Sequence, residues 1–398
     1  MERIKLSEIA YLLNGYAFKS AKYVERGIRI IRIANVQDGY IADDKPCYYP
    51  LCTDEDISKY MLTENDLLIS LTGNVGRVGM LTKGFLPAAL NQRVSCIRIK
   101  DSDTVNKKYL YYYFRQKLFI QECVEASKGV AQLNLSTKWL ENYTIPVPPL
   151  PEQERIVARI EELFSQLDAG VETLKKTKAQ LAVYRQAVLE TAFRECASKE
   201  NVQFGDILSE KPRNGYSPKG VDYQTKYRNL TLTATTSGYF RDNCFKYVDI
   251  DIDDDSYLWV KHNDILIQRA NTIEYVGTSV LYQGEDNRYV YPDLMMKCHT
   301  KDGINPQFVV YQLQSRVCKT HFREHATGTS GSMPKINQQT VMTAPIVMTS
   351  LDEQERIVKQ IGERLSVCDN IEKTVDTALQ QTEAMRQSIL KQAFEGRM

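Results

Sequence analysis

One motif occurs twice, and its repetition constrains the fold more than any other feature. Leu150-Pro-Glu-Gln-Glu-Arg-Ile-Val157 returns as Leu351-Asp-Glu-Gln-Glu-Arg-Ile-Val358, and Arg185-Gln-Ala-Val-Leu-Glu-Thr-Ala-Phe193 returns as Arg386-Gln-Ser-Ile-Leu-Lys-Gln-Ala-Phe394. Both ends keep an offset of 201, and 18 of the 44 positions from Leu150 to Phe193 are identical without a gap. A chain that repeats itself at fixed distance uses one supersecondary unit twice, so the fold is read as two copies.

Both copies predict a long helix. Pro148, Pro149 and Pro151 stop the preceding structure, and Glu152 and Glu154 put negative charge where the helix dipole is positive. In the second copy Ser350 or Asp352 suits the N-cap. Apolar residues follow at heptad spacing: Ile160, Leu167, Leu174, Leu181 and Val188, with Leu163 and Tyr184 interleaved. The second copy has Ile361, Cys368, Val375 and Ile389, interleaved with Ile357, Leu365, Ile371 and Met385. So narrow a stripe fits a partner helix, and the other copy is the obvious one. Two unrelated amphipathic helices on separate domains would show the same periodicity, but near identity of the first and last turns favours tips with equivalent tasks. At about 1.5 Å per residue such a helix is roughly 65 Å long, close to two turns of B-DNA.

The stretches around the helices, 1–149 and 198–349, repeat more faintly. Asn65-Asp-Leu-Leu-Ile-Ser70 corresponds to Asn263-Asp-Ile-Leu-Ile-Gln268, a turn followed by a buried strand. Leu71-Thr-Gly-Asn-Val-Gly-Arg-Val-Gly79 then matches Arg269-Ala-Asn-Thr-Ile-Glu-Tyr-Val-Gly277. A helical stretch (Lys107 to Glu125, Pro306 to Glu324) leads to Gly129-Val-Ala-Gln-Leu-Asn134 or Gly331-Ser-Met-Pro-Lys-Ile-Asn337, and each half closes on a strand with Pro. The organisation expected is an α/β (α+β) fold: globular domains over 1–149 and 198–349, helices over 150–197 and 350–398, the two long helices forming an antiparallel coiled coil.

Composition adds mainly exclusions. At 398 residues the chain holds two or three domains, and no stretch approaches the roughly 20 apolar residues of a membrane span. The start, MERIKLSEIAYLLNG, has no uninterrupted apolar run of a signal peptide. Cys47, Cys52, Cys96, Cys123, Cys196, Cys244, Cys298, Cys318 and Cys368 are scattered without a C-x-x-C pair, which predicts free thiols and a cytoplasmic protein. There is no phosphate-binding loop and no dinucleotide fingerprint. An adenine methyltransferase would show Asn-Pro-Pro-aromatic, whereas Pro148-Pro149 lies between Val147 and Leu150. Asp249 to Asp255 lacks the Gly and Glu of a calcium loop, so neither a metal nor a catalytic residue is expected. The net charge of +1 is low for a DNA-binding protein; residues 1–149 carry 20 Lys/Arg against 16 Asp/Glu, and 198–349 carry 17 of each.

The order domain, helix, domain, helix, with P-L-P-E-Q-E-R-I and L-D-E-Q-E-R-I opening the helices, resembles the specificity subunit of type I restriction-modification enzymes over the full length. The resemblance implies two target recognition domains that each read half of a bipartite DNA site, helices that set the unread spacer, and a surface that docks two modification (methyltransferase) subunits. The resemblance implies too that restriction subunits can join the same complex. It also implies no cofactor in this chain: S-adenosylmethionine belongs to the methyltransferase partner, ATP and Mg to the restriction partner. DNA contact is expected of loop residues that can donate to base edges: Thr72, Asn74, Arg77, Asn91, Gln92, Arg93, Lys128 and Gln132 in the first domain, and Arg269, Asn271, Thr272, Thr329, Ser330 and Lys335 in the second. Partner contact is expected of the repeated helix ends: Glu152, Gln153, Arg155, Arg185, Phe193, Glu353, Gln354, Arg356, Arg386 and Phe394. Consecutive Tyr111, Tyr112, Tyr113 and Phe114 point around a helix and fit core packing better than base stacking. The competing readings are a methyltransferase or nuclease with diverged motifs, and a coiled-coil scaffold without DNA.

Overall fold

The computed structural model describes residues 3–129, 132–196, 200–328 and 333–397. They form two compact units, Met1–Leu174 with Thr377–Met398, and Lys175–Asp376. The elements that place the site are β1 (Ala10–Asn14), β2 (Leu67–Ser70), β3 (Val78–Met80), β4 (Val94–Ile99), α1 (Lys107–Phe114), α2 (Leu150–Arg194), β5 (Arg213–Asn214), β6 (Ile265–Gln268), β7 (Ser279–Leu281), β8 (Met295–Cys298), α3 (Pro306–Leu313) and α4 (Leu351–Phe394).

In the first unit an antiparallel sheet runs β1-β4-β2-β3. Its central strand is apolar on both faces. Side chains alternate across a strand, so Leu67 and Ile69 enter one core with Leu110 and Phe114 of α1, while Leu68 enters another with Ile31 and Leu90. Residues Ile28–Ile31, Tyr48–Tyr49, Met61–Leu62 and Ala88–Leu90 form a second, mixed sheet on that face. The turn into β2 explains its Asn-Asp pair. Asn65 takes the left-handed conformation, φ 64°, which asparagine tolerates. Asp66 is buried, accepts the Thr63 N–H at 2.8 Å and pairs with Arg98 at 2.6 Å.

The second unit repeats the frame as β5-β8-β6-β7, with Ile265 and Ile267 facing one core and Leu266 the other. Asn263 is again left-handed, φ 69°, and Asp264 accepts the Lys261 N–H at 2.7 Å. The register puts His299 where Arg98 stands, 3.0 Å from Asp264, and Lys297 where Cys96 stands, 3.5 Å away. Burial pushes the Lys297 ammonium below its ordinary pKa, and Asp264 opposes that fall. The companion sheet differs: it has three strands, Gly220–Val221, Phe245–Val248 and Tyr227–Leu230, all antiparallel.

The consecutive aromatics of α1 are core residues: Tyr112, Tyr113 and Phe114 are buried, and Tyr111 packs against the same core. Both long helices are continuous, and each divides between the units. The first unit holds the start of α2, through Ile156, Ile160 and Phe164, together with the end of α4, through Leu390 and Ala393. The second holds the end of α2, through Val188, Leu189 and Ala192, with the start of α4, through Ile357 and Ile361. Pairing within a unit is antiparallel, since Lys178 meets Asp376 at 2.7 Å and Arg185 meets Asp369 at 2.7 Å. The same Arg-to-Asp pair occurs in the first unit between Arg386 and Asp168. The apolar seam is narrower than the heptads predict: Leu181, Cys368 and Val375 are buried, but Tyr184, Ile371 and Met385 stand in solvent because the seam uses fewer positions than the full stripe.

Candidate nucleic-acid interface

At one end of each central sheet, loops are tied together by backbone hydrogen bonds. In the first unit the Leu71 N–H donates to the Arg93 carbonyl at 3.1 Å, the Leu135 N–H to Leu71 at 2.8 Å, and the Gly73 N–H to Leu133 at 2.8 Å. Lys128 and Asn134 exchange N–H and carbonyl at 3.1 and 2.9 Å. Three of the predicted segments, 72–74, 91–93 and 128–134, are thereby brought to one place. Asn74, Gln92, Arg93, Lys128 and Gln132 are exposed there. Asn91 and Arg77 are half-buried, Arg77 donating to Gln37 at 2.9 Å. Thr72 does not face outward: it is buried and its hydroxyl donates to Asn134 at 2.9 Å, so it holds two loops together.

The second unit builds the same end. The Arg269 N–H donates to the Leu294 carbonyl at 2.8 Å, the Ile336 N–H to Arg269 at 2.9 Å, and Thr327 and Lys335 exchange bonds at 2.8 and 2.9 Å. Thr272 and Lys335 are exposed and Arg269 is half-buried. The Asn271 amide is used on both sides, donating to Gln268 at 2.6 Å and accepting the Thr272 N–H at 2.7 Å, which makes it a brace for the loop. Thr329 and Ser330 lie outside the described residues.

A fourth segment at this end escaped the sequence reading. Asn14-Gly15-Tyr16 and Asn214-Gly215-Tyr216 each begin on the last residue of the sheet's edge strand and lead out of it. Tyr16 donates its N–H to Leu90 at 2.8 Å and accepts from Gln92 at 3.0 Å, while Tyr216 donates to Tyr291 at 2.9 Å. Only glycine fits between: a Cβ on Gly15 would lie 2.1 Å from the Asn91 carbonyl oxygen, and one on Gly215 2.0 Å from that of Tyr291. The signal was present as an identical tripeptide at an offset of 200, too short to stand out without the backbone contact that requires it.

The repeated helix ends divide by burial. Gln153 is fully buried. Its amide donates to Pro148 at 2.7 Å and Thr104 at 2.9 Å and accepts the Asn106 N–H at 2.9 Å, where Asn106 caps α1. Gln354 does the same in the second unit, donating to Thr349 at 2.8 Å and accepting from Asn305, the cap of α3, at 2.9 Å. Phe394 packs edge-on against Tyr109 and Tyr113, each at 5.2 Å, and Phe193 against Phe308 at 5.5 Å. Arg185 and Arg386 are taken by the ion pairs above, Arg386 also lying 4.9 Å from the Phe164 ring. All six make contacts within the chain, but only Gln153 and Gln354 are enclosed by their own unit; Phe193 and Phe394 are partly buried, and Arg185 and Arg386 keep a small exposed fraction. Glu152 with Arg155, and Glu353 with Arg356, pair at 2.7 and 2.6 Å at the helix surface.

Among the described residues no group of three or more His, Cys, Asp or Glu is placed to hold a metal, the nine cysteines are free thiols, and no helix is long and apolar enough to cross a membrane. Burial pushes the Cys123 and Cys318 thiols up to about 12.

Residues 1–182 match the type I restriction modification DNA specificity domain. The chain is 25% identical over 424 residues to the type I restriction enzyme EcoBI specificity subunit of Escherichia coli, covering all of this chain and 86% of that one. It is 22% identical over 413 residues to the EcoKI specificity subunit of Escherichia coli strain K12, covering 99% and 88%. Its fold superposes with TM-score 0.72 at 15% identity on a chain from a structure of type I R-M system assembly and conformational transition, covering all of this chain and 98% of that one. The doubled frame, its two loop ends and these likenesses agree: residues 1–182 match a type I restriction modification DNA specificity domain, and the chain is similar over its full length to type I restriction-modification specificity subunits.

Proposed function

We propose that each loop end reads one half of a bipartite duplex site, that α2 and α4 set the number of base pairs left unread between the halves, and that the chain performs no chemistry of its own. One observation carries this reading: the same four-segment loop end is built twice, on the same sheet frame, with different exposed polar side chains. Phosphate contacts position a protein, while discrimination comes from side chains that meet base edges. Asn74, Gln92, Arg93, Lys128 and Gln132 supply such groups in one unit; Arg269, Thr272 and Lys335 supply them in the other. Ser330 and Thr329, with donors of the same kind, belong to this second set by sequence.

Base excess is confined to the first half, 20 Lys/Arg against 16 Asp/Glu in residues 1–149. A protein so nearly neutral needs other subunits for much of its phosphate grip. Two modification subunits carrying S-adenosylmethionine meet that need, with restriction subunits carrying ATP and Mg joining the same cytoplasmic complex. The Glu152–Arg155 and Glu353–Arg356 pairs, one at the start of each long helix and each with its arginine exposed, are where the two modification subunits dock.

The test is genome-wide adenine methylation in cells expressing this chain with its modification subunit, against cells lacking the chain. A bipartite motif that appears only with the chain, and changes in one half when residues 1–149 are exchanged, supports the reading. Methylation that ignores the chain sinks it and restores the scaffold reading; methyl transfer by the purified chain alone restores the enzyme reading.

A further inference from the structure

The two loop ends differ at most exposed positions and agree at one. Beyond Asn-Gly-Tyr the repeat continues to a lysine three residues on: Asn14-Gly-Tyr-Ala-Phe-Lys19 against Asn214-Gly-Tyr-Ser-Pro-Lys219. Both loops are held by the same devices. Gly15 and Gly215 press against a carbonyl of the neighbouring segment. The residue before each lysine is anchored: Phe18 is buried against Tyr49 at 4.9 Å, and Pro218 is buried with its carbonyl accepting from Lys246 at 2.7 Å. Lys19 and Lys219 then stand exposed. Beside them the copies diverge, Asn91-Gln92-Arg93 facing Pro292-Asp293-Leu294 across the repeat, although the backbone bonds made by Arg93 and Leu294 are the same.

A bipartite duplex offers the same distinction. Its two halves differ in base sequence and share one feature, the sugar-phosphate backbone. We propose, resting on the reading above, that Lys19 and Lys219 are paired phosphate contacts, one per half-site, which fix each unit on the duplex so that the exposed, divergent Gln92 and Arg93 in one and Asp293 in the other meet base edges. The local charges rank the two. Near Lys19 the carboxylate of Glu55 is already taken, by Lys22 at 2.9 Å and the Tyr49 hydroxyl at 2.5 Å. Lys219 lines a hollow of about 620 Å³ with Asp222 and Asp249, so Lys19 makes the stronger contact.

The experiment uses the chain assembled with its modification subunits and measures binding to a target duplex and to a duplex with both half-sites scrambled, across a salt series. For Lys19→Ala, the slope of log affinity against log salt is expected to fall by about 0.9, and affinity to drop by a similar several-fold factor on both duplexes. Lys219→Ala has a smaller effect of the same kind, the double variant is close to the sum, and Lys19→Arg keeps the slope. The methylated motif stays unchanged in all four. A salt slope unaltered in the double variant overturns the proposal, and so does a motif altered in one half, which would make the lysine a base reader. If the wild-type assembly shows no preference for target over scrambled duplex, the specificity reading itself has failed; if it does and the lysines are silent, only the phosphate assignment falls.

Discussion

The two units share a frame and differ in how they are walled. Both have the left-handed Asn before a buried Asp, the glutamine that joins a long helix to the cap of a short one, and an Asp-to-Arg pair between long helices. They differ in the companion sheet, four mixed strands against three antiparallel, and in the cations facing the buried Asp. These shared devices sit inside and fix backbone, while some repeated residues stand at the surface, Lys19 and Lys219 among them; what differs lies outward or compensates locally. Duplication thus keeps a holder and frees its contents.

The largest test concerns the buried carboxylates. Arg98 beside Asp66 is one-third exposed, whereas Lys297 beside Asp264 is 8% exposed. Removing one partner of a buried pair costs about 3–5 kcal/mol when the other charge is stranded. Asp264→Ala should therefore destabilise the second unit by that amount, and Asp66→Ala should cost the first unit clearly less, because Arg98 reaches water. Denaturant unfolding followed by hydrogen exchange in each unit decides it, and equal losses would break the contrast.

Next come the aromatic tips. Phe394→Ala is expected to loosen the first unit around Tyr109 and Tyr113, and Phe193→Ala the second around Phe308, each by about 2–3 kcal/mol given their partial burial. Exchange protection that falls in the unit preceding each helix in sequence, rather than in the one its tip packs on, would refute the exchange of helix ends.

The smallest effect is the most exacting. Gln153→Ala and Gln354→Ala each strand a buried N–H and carbonyls, costing about 1–3 kcal/mol. Equal losses, read from the melting of the two variants, are expected if the clamp is one device used twice; a silent member would show that repetition of sequence outlived repetition of role.

Much of this was legible in the residues. The helices from Leu150 and Leu351, the Asn-Asp turns and the correspondence of the two halves follow from pattern, because periodicity and turn chemistry are local. Local pattern also gathered Asn74, Arg93 and Lys128 as loop residues, and the structure brings their loops together. What pattern lacked was burial. Gln153 and Gln354 look like surface residues of an acidic helix start, and only the approach of Asn106 and Asn305 encloses them. Thr72 reads as an exposed donor until Asn134, distant in sequence, takes its hydroxyl. The exchange of helix ends was equally hidden, since nothing in the Arg185 or Arg386 motif says which domain it will pack upon.

That exchange bears on the order in which the molecule can be made. The second unit is one continuous span, Lys175–Asp376, while the first needs Thr377–Met398 to supply Leu390, Ala393 and Phe394 to its core. During synthesis from the N-terminus, the part begun first is therefore the part finished last. The first unit keeps an open apolar face on α1 and α2 until that last segment arrives, so a chain cut back to Asp376 carries every residue of the second unit's core and an unfinished first.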